Sequence, residues 1–148
     1  MASEVIMILP SYSSGLLQIK AYRQLKSYVN KHLSTYDLSM AEWAILGRLF
    51  EVPDGERLAT LAEMLAVEPP LVTLLVDGIE ARGLVKRAAD PDDRRAKRIC
   101  LTPSGTALVQ KVEKHIHGAM QELLADVTSE DLLAYTRVLE EISAKATA

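Results

Sequence analysis

The stretch from Gly83 to Gly105, GLVKRAADPDDRRAKRICLTPSG, narrows the possible folds more than any other part of the chain. Leu84 and Val85 start one apolar run, and Ile99, Cys100 and Leu101 supply a second. Asp90-Pro91-Asp92-Asp93 between them is turn chemistry, because Asp bonds its own backbone two residues on and Pro presets a turn angle. The pattern predicts a β-hairpin with a charged tip. Between positions 82 and 98 lie seven of the chain's 17 Lys and Arg (Arg82, Lys86, Arg87, Arg94, Arg95, Lys97 and Arg98) against three acids, Asp90, Asp92 and Asp93. Everything else holds ten basic and seventeen acidic side chains, so the formal net charge of −3 averages over a basic edge on an acidic body. Such an edge suits a nucleic-acid backbone.

The rest of the chain has helical periodicity. Leu16, Ile19, Tyr22, Leu25, Val29 and Leu33 recur at steps of three and four, predicting an amphipathic helix from about Tyr12 to Leu33. Ser39 followed by Glu42 is a capping box, opening a helix whose stripe is Trp43, Leu46 and Leu49 or Phe50. Pro53-Asp54-Gly55 stops it, and Leu58, Leu61, Ala62 and Leu65 mark a short third helix. Glu68-Pro69-Pro70 starts a fourth, with Val72, Leu75, Val76 and Ile79 on one face until Gly83. Two short helices in close succession and then a basic hairpin spell a winged helix-turn-helix. Thr102-Pro103 then opens a helix with the stripe Leu108, Val112, Ile116, Ala119, Leu123 and Val127. Thr128 to Asp131 starts another, continued by Leu132, Tyr135 or Thr136, Leu139 and Ile142. The outer helices are longer than a reading head needs, so they are expected to form a dimerisation module. The expected fold is mainly α with a small β-wing. One domain spans 1–148, with dimerisation helices at 1–36 and 103–148 and a DNA-binding lobe at 37–102.

Composition excludes several classes. With 148 residues the chain supports one core. A single cysteine, Cys100, closes no disulfide within the chain and suits a reducing cytoplasm. The apolar run Val5 to Leu9 is too short to span a membrane and follows Glu4 where an export signal carries basic residues. There is no Gly-rich phosphate loop, no nucleophile with a recognisable partner and no paired carboxylates, so no enzyme and no cofactor is expected. His115 and His117 are two apart and diverge on a helix, which argues against a metal site. Cys100 alternates with Ile99 and Leu101 on its strand and points away from them, toward the surface near Arg98.

Three motifs carry a family resemblance: DLSMAEWAIL at 37–46, VDGIEARGLV at 76–85, and DPDDRRAKRICLT at 90–102. Together with the order of elements, they make nearly the whole chain resemble the MarR family of bacterial transcription regulators. Asp93-x-Arg95 followed by Leu101-Thr102 resembles the family's wing signature, and the DRRAKR core is closest to the SlyA-like branch. The resemblance implies a cytoplasmic homodimer on a pseudo-palindromic operator in double-stranded DNA, with one recognition helix per major groove and a wing arginine in the flanking minor groove. Mapped onto this chain, Arg94 and Arg95 are the insertion candidates, Asp93 shapes the wing through an arginine partner, and Lys86, Lys97 and Arg98 meet phosphates. Pro70, Thr73 and Leu74 are the candidates on the recognition helix.

That helix departs from the family pattern. Where relatives usually carry Ser, Thr and Arg, this chain has Glu68, Leu71, Leu74 and Gly78, leaving Thr73 as the one small polar side chain at a base-facing position. Apolar side chains meet thymine methyl groups but discriminate less than bidentate hydrogen bonds. Base specificity is therefore expected to be modest, with wing contacts and DNA shape carrying more of it. The resemblance also implies a small aromatic or phenolic effector. Tyr22, His32, Tyr36 and Trp43, with Tyr28 beside them, lie on elements that would line its cleft, although Trp43 reads first as core. The alternative is a winged-helix protein-interaction module with Leu71 and Leu74 as its contact surface.

Overall fold

The structure is a computed structural model that describes residues 11–146; the Val5 to Leu9 run lies outside the described residues. Helix α1 is Ser11–Leu33, followed by a 3-10 turn at Ser34–Tyr36. Helix α2 is Met40–Glu51, strand β1 is Glu56–Arg57, helix α3 is Leu58–Leu65 and helix α4 is Pro69–Ala81. Strands β2, Val85–Ala89, and β3, Lys97–Leu101, form the hairpin; helices α5, Pro103–Leu123, and α6, Ser129–Lys145, follow. The chain is mainly helical with one small antiparallel sheet, as its periodicities predict. It falls into two compact units, one running to Ile116 and one from His117 onward. The expected boundaries at 36/37 and 102/103 both lie inside the first unit.

Local chemistry sets most of the element ends. Ser39 accepts from the Glu42 amide at 3.2 Å while Glu42 accepts from the Ser39 amide at 2.8 Å, completing the capping box of α2. Pro69 and Pro70 occupy the first turn of α4, where amides have no helical partner. Past its end, Gly83 adopts φ +73 and the Leu84 amide donates to Ile79 O at 3.1 Å. Helices α3 and α4 meet at 110°, within the usual range for a helix-turn-helix. Among the described residues no single helix is long and apolar enough to cross a membrane.

The sheet holds a strand that the sequence pattern missed. Its order is β1-β3-β2, with Glu56 opposite Ile99 and Arg57 opposite Arg98, while β2 pairs β3 from Val85↔Leu101 to Ala89↔Lys97. Two charged residues carry no strand signal, so β1 exists because the backbone after Gly55 is brought alongside β3. Gly55 has φ +89, and a Cβ there would stand 2.5 Å from Cys100 Sγ and 2.8 Å from Ile99 O, so glycine is what permits the approach.

The core of the first unit joins one face of each element. Ile45, Leu46 and Leu49 of α2, Leu61 of α3, Val72, Val76 and Ile79 of α4, and Val85 and Ile99 of the hairpin are buried. Full burial of such side chains contributes roughly 1.5–3 kcal/mol each. The stripe differs from expectation on α2, where Trp43 is half-buried and Phe50 is exposed while Ile45 takes the inward position. On α5, Val109 rather than Leu108 continues the row to Val112 and Ile116; Leu123 and Val127 are exposed. The shift from Leu108 to Val109 is one residue, about 100° around a helix, whereas on α2 Leu46 and Leu49 keep their inward places.

Candidate nucleic-acid interface

The wing tip from Asp90 to Ala96 is organised by two aspartates with different tasks. Asp93 Oδ1 accepts from the Arg95 amide at 2.9 Å, and the Ala96 amide donates to Asp93 O at 3.1 Å, so Asp93 shapes the turn through backbone bonds. The arginine partnership expected at Asp93 is found at Asp90. Its side chain is fully buried; Oδ2 accepts from Arg57 Nε at 2.7 Å and Arg98 Nε at 3.2 Å, and Oδ1 accepts from the Asp92 amide at 2.8 Å. The Arg57 guanidinium, helped by the Asp92 amide and Arg98, holds the Asp90 carboxyl far below the usual carboxylate range despite its burial. Arg57 sits on β1 at the entrance to α3, so this pair pins the wing tip to the helix-turn-helix.

Basic residues of the wing fall into two groups. Arg87 is tied to Asp77 at 2.6 Å and to Glu80, fastening β2 to α4, and its guanidinium is held more firmly protonated by them. Arg98, expected on a phosphate, is instead three-quarters covered and engaged with Asp90, Asp92 and the Gly55 carbonyl. It is an anchoring residue, because a buried carboxylate claims the cation nearest to it. Arg82 donates to Asp37 O at 2.7 Å and Tyr36 O at 2.9 Å. By contrast, Lys86, Arg94, Arg95 and Lys97 are exposed and form no salt bridge among the described residues. These four are the cations available to an external anion.

Beside them, α4 turns Val72, Val76 and Ile79 inward and leaves Pro70, Leu71, Thr73, Leu74, Asp77 and Gly78 exposed. Leu74 is 67% exposed and Leu71 45%, so the outer face of the helix is apolar. Thr73 Oγ1 donates to Pro69 O at 3.2 Å, so its hydroxyl proton is already used within the helix.

The other site candidates separate. Tyr22 is exposed on α1, with Lys26 Nζ 6.0 Å from its ring centre. His32 and Tyr36 come together, but around a residue not foreseen as their partner: His115 Nε2 lies 3.1 Å from His32 Nδ1 and His115 Nδ1 lies 2.8 Å from Tyr36 Oη. Tyr28 packs edge-on against His32 at 4.9 Å. Trp43 lines a different feature, a cleft of about 760 Å³ shared with Gly47, Arg48, Glu63, Met64 and Glu113. No group of three or more metal-ligating side chains occurs among the described residues. Cys100 is half-buried.

Comparison with known proteins agrees with this geometry. The MarR family model matches residues 38–97, from the start of α2 through the wing tip. The transcriptional regulator PA3341 is 32% identical, with 89% of this chain and 96% of that one covered and a TM-score of 0.79. CouR from Rhodococcus jostii RHA1, solved bound to p-coumaroyl-CoA, is 26% identical over 90% of this chain and 93% of its own, with a TM-score of 0.80. A single-site mutant of MarR from E. coli, solved in complex with operator DNA, has the same fold at 22% identity, covering 93% of this chain and 96% of that one, with a TM-score of 0.77. A helix-turn-helix crossed at 110°, a wing pinned to it through a buried aspartate, and these matches over nearly the full length lead to one assignment: the chain belongs to the MarR family of transcriptional regulators.

Proposed function

We propose that the protein is a homodimeric DNA-binding repressor that recognises a pseudo-palindromic operator and is modulated by a small aromatic or phenolic ligand. The observation that carries the reading is the division of the wing cations: Lys86, Arg94, Arg95 and Lys97 are exposed and form no salt bridge among the described residues, while Arg87 and Arg98 hold the wing in place. Free cations supply the salt-dependent, sequence-independent part of binding. Pro70, Thr73 and Leu74 then face the major groove, Arg94 or Arg95 enters the minor groove, and Lys86 and Lys97 contact phosphates. Because Thr73 has spent its donor and its neighbours are apolar, discrimination rests on thymine methyl contacts and on minor-groove shape.

Self-association is supported by apolar side chains left in water. On α1 these are Leu16, Leu17, Ile19 and Tyr22, and on α6 they are Leu133, Tyr135, Val138 and Ile142. A two-fold dimer of such faces presents two recognition helices to a symmetric site. A relative bound to an acyl-CoA thioester and another bound to operator DNA support the ligand and DNA parts by analogy. His32 and Tyr36, with Tyr22 on the same helix as His32, and separately Trp43 in its cleft, are the ligand candidates.

A genome-wide footprint tests the reading. Paired half-sites roughly 10 bp apart, centre to centre, are expected, with the bound promoters released in a deletion strain. Single unpaired sites, or none, would remove it. The exposed Leu71 and Leu74 favour one alternative, a module that docks on another protein. In that case duplex DNA binds weakly and with a flat salt response.

A further inference from the structure

The cluster around His115 is unusual because two imidazole nitrogens face each other across 3.1 Å. A contact that short holds only with one proton between the nitrogens, so the number of protons on the cluster decides whether it exists. With both rings neutral, two arrangements satisfy it. Either Tyr36 Oη donates to His115 Nδ1 and His115 Nε2 donates to His32 Nδ1, or each of those two bonds runs the other way. One added proton is tolerated: His115 as a cation donates from both nitrogens, to Tyr36 Oη and to His32 Nδ1. A second proton is not. His32 Nδ1 and His115 Nε2 then both carry hydrogen, two like charges face each other, and neither nitrogen can accept.

No acidic side chain is in contact with the pair among the described residues to offset that second charge. Among the described residues, the charged groups in contact with the cluster are Lys111, whose Nζ lies 5.8 Å from the Tyr36 ring centre, and Arg82, which donates to the carbonyls of Tyr36 and Asp37; Asp37 contributes its carbonyl there, and the Tyr28 ring packs against His32. Both charges are positive. The connectivity matters as much as the charge. His32 lies on α1, Tyr36 on the 3-10 turn and His115 on α5, while Arg82 caps the C-terminal end of α4, whose outer face carries the recognition candidates. A change at the histidine pair therefore reaches the end of α4 through Tyr36 and one guanidinium.

We propose that the His32–His115–Tyr36 cluster is a proton-operated latch that ties α1 and α5 to the end of the recognition helix, closed with at most one proton and open with two. The inference rests on the DNA-binding reading and is independent of any effector. Opening frees Tyr36 and loosens the seat of Arg82, so DNA affinity falls as pH drops through the range in which imidazoles become charged. The sign is diagnostic. Ordinary electrostatics predicts tighter binding in acid, because every protonated histidine adds positive charge to a protein on a polyanion.

The test measures affinity for the operator duplex at constant ionic strength from about pH 8 to about pH 5. Wild type is expected to weaken by about tenfold or more, in the range typical of coupled sites. The chain's third histidine, His117, is exposed, and His117→Gln is expected to keep that response. His32→Gln and His115→Gln are each expected to lose it. Nitrogen-15 spectra of the wild-type imidazoles, recorded over the same range, read the latch directly even if a variant folds poorly: coupling across the N–H···N bond is present near neutrality and vanishes in acid. Affinity that stays level or rises in acid overturns the proposal, as does inter-ring coupling absent at every pH. Failure to bind DNA at any pH overturns it together with the DNA-binding reading, whereas pH-independent binding overturns the latch alone.

Discussion

Replacing Arg94 and Arg98 one at a time separates the free wing cations from the anchored ones. Four free cations per protomer make about eight cationic contacts with the DNA in a dimer, the minor-groove arginine included, for a slope of log affinity on log salt of about −7. Arg94→Ala removes two of those contacts and makes the slope shallower by about 1.8. Between about 50 and 200 mM salt, wild type should lose about 10⁴-fold in affinity and the variant about 10³-fold. Arg94 forms no ion pair among the described residues, so its loss should leave the melting temperature unchanged. Arg98→Ala should behave in the opposite way. It strips one of two guanidinium partners from a buried carboxylate, a loss of about 1–2 kcal/mol, while the slope stays near its wild-type value. For a chain of this size that is a fall of about 3–6 °C. Fluorescence anisotropy on a labelled duplex gives the slopes and calorimetry the melting points. If Arg98→Ala flattened the salt response at unchanged stability while Arg94→Ala did neither, the division between reading and anchoring cations would be wrong.

Three further outcomes follow from the packing. The Asp90 carboxyl is held ionised below its usual range, so the stability it contributes is complete above about pH 4, where an unfolded Asp is ionised, and is lost as pH falls further. Asp90→Asn should therefore melt lower at neutral pH and show a shallower acid dependence between about pH 5 and 2; a parallel pair of melting curves would refute the assignment. Gly55→Ala combines a left-handed backbone with collisions against Cys100 and Ile99, whereas Gly83→Ala carries backbone strain with no atom within 4 Å of the new Cβ. Urea unfolding should show a loss of about 1–2 kcal/mol at Gly83 and clearly more at Gly55; equal losses would refute the close approach. Leu46→Ala should cost about 2–5 kcal/mol and Phe50→Ala much less, since Leu46 is completely buried and Phe50 is 44% exposed; the reverse order would refute this packing of α2.

What was legible in the sequence was whatever a few neighbouring residues decide. The capping box at Ser39 and Glu42, the prolines that open α4, the glycine beyond its end and the aspartate turn of the wing each draw their energy from bonds within four or five residues. The pattern shows them for that reason. The unread parts depend on partners far along the chain. Arg57 meets Asp90 across 33 residues, and His32 meets His115 across 83. Nothing near Glu56 and Arg57 marks a strand, because the third edge of the sheet is made by where Gly55 lets the chain pass. Trp43 misled for a related reason: a large apolar residue on a helical stripe is ordinarily core, but here Ile45, two residues on, takes the inward position and the indole stands at the wall of a cleft.

The wing shows why this matters for function. Seven basic residues in seventeen positions look like one basic surface, and a count of charge assigns all of them to DNA. In the fold, Arg82, Arg87 and Arg98 are consumed by a backbone cap, by two acids of the recognition helix and by a buried aspartate. Arg87 and Arg98 make the wing stiff, and stiffness is what lets the other four be presented in a fixed geometry without paying an ordering cost at the moment of binding. Asp90 is the pivot of that arrangement, since it neutralises Arg98 of the hairpin and Arg57 of the neighbouring strand β1, which would otherwise repel the reading cations. An acidic residue at the heart of a basic motif is thus part of its affinity. Replacing it with a neutral side chain, which raises the net positive charge of the wing, should weaken DNA binding rather than strengthen it. Tighter binding by folded Asp90→Asn, measured at a temperature where both proteins are native, would show that charge outweighs rigidity here.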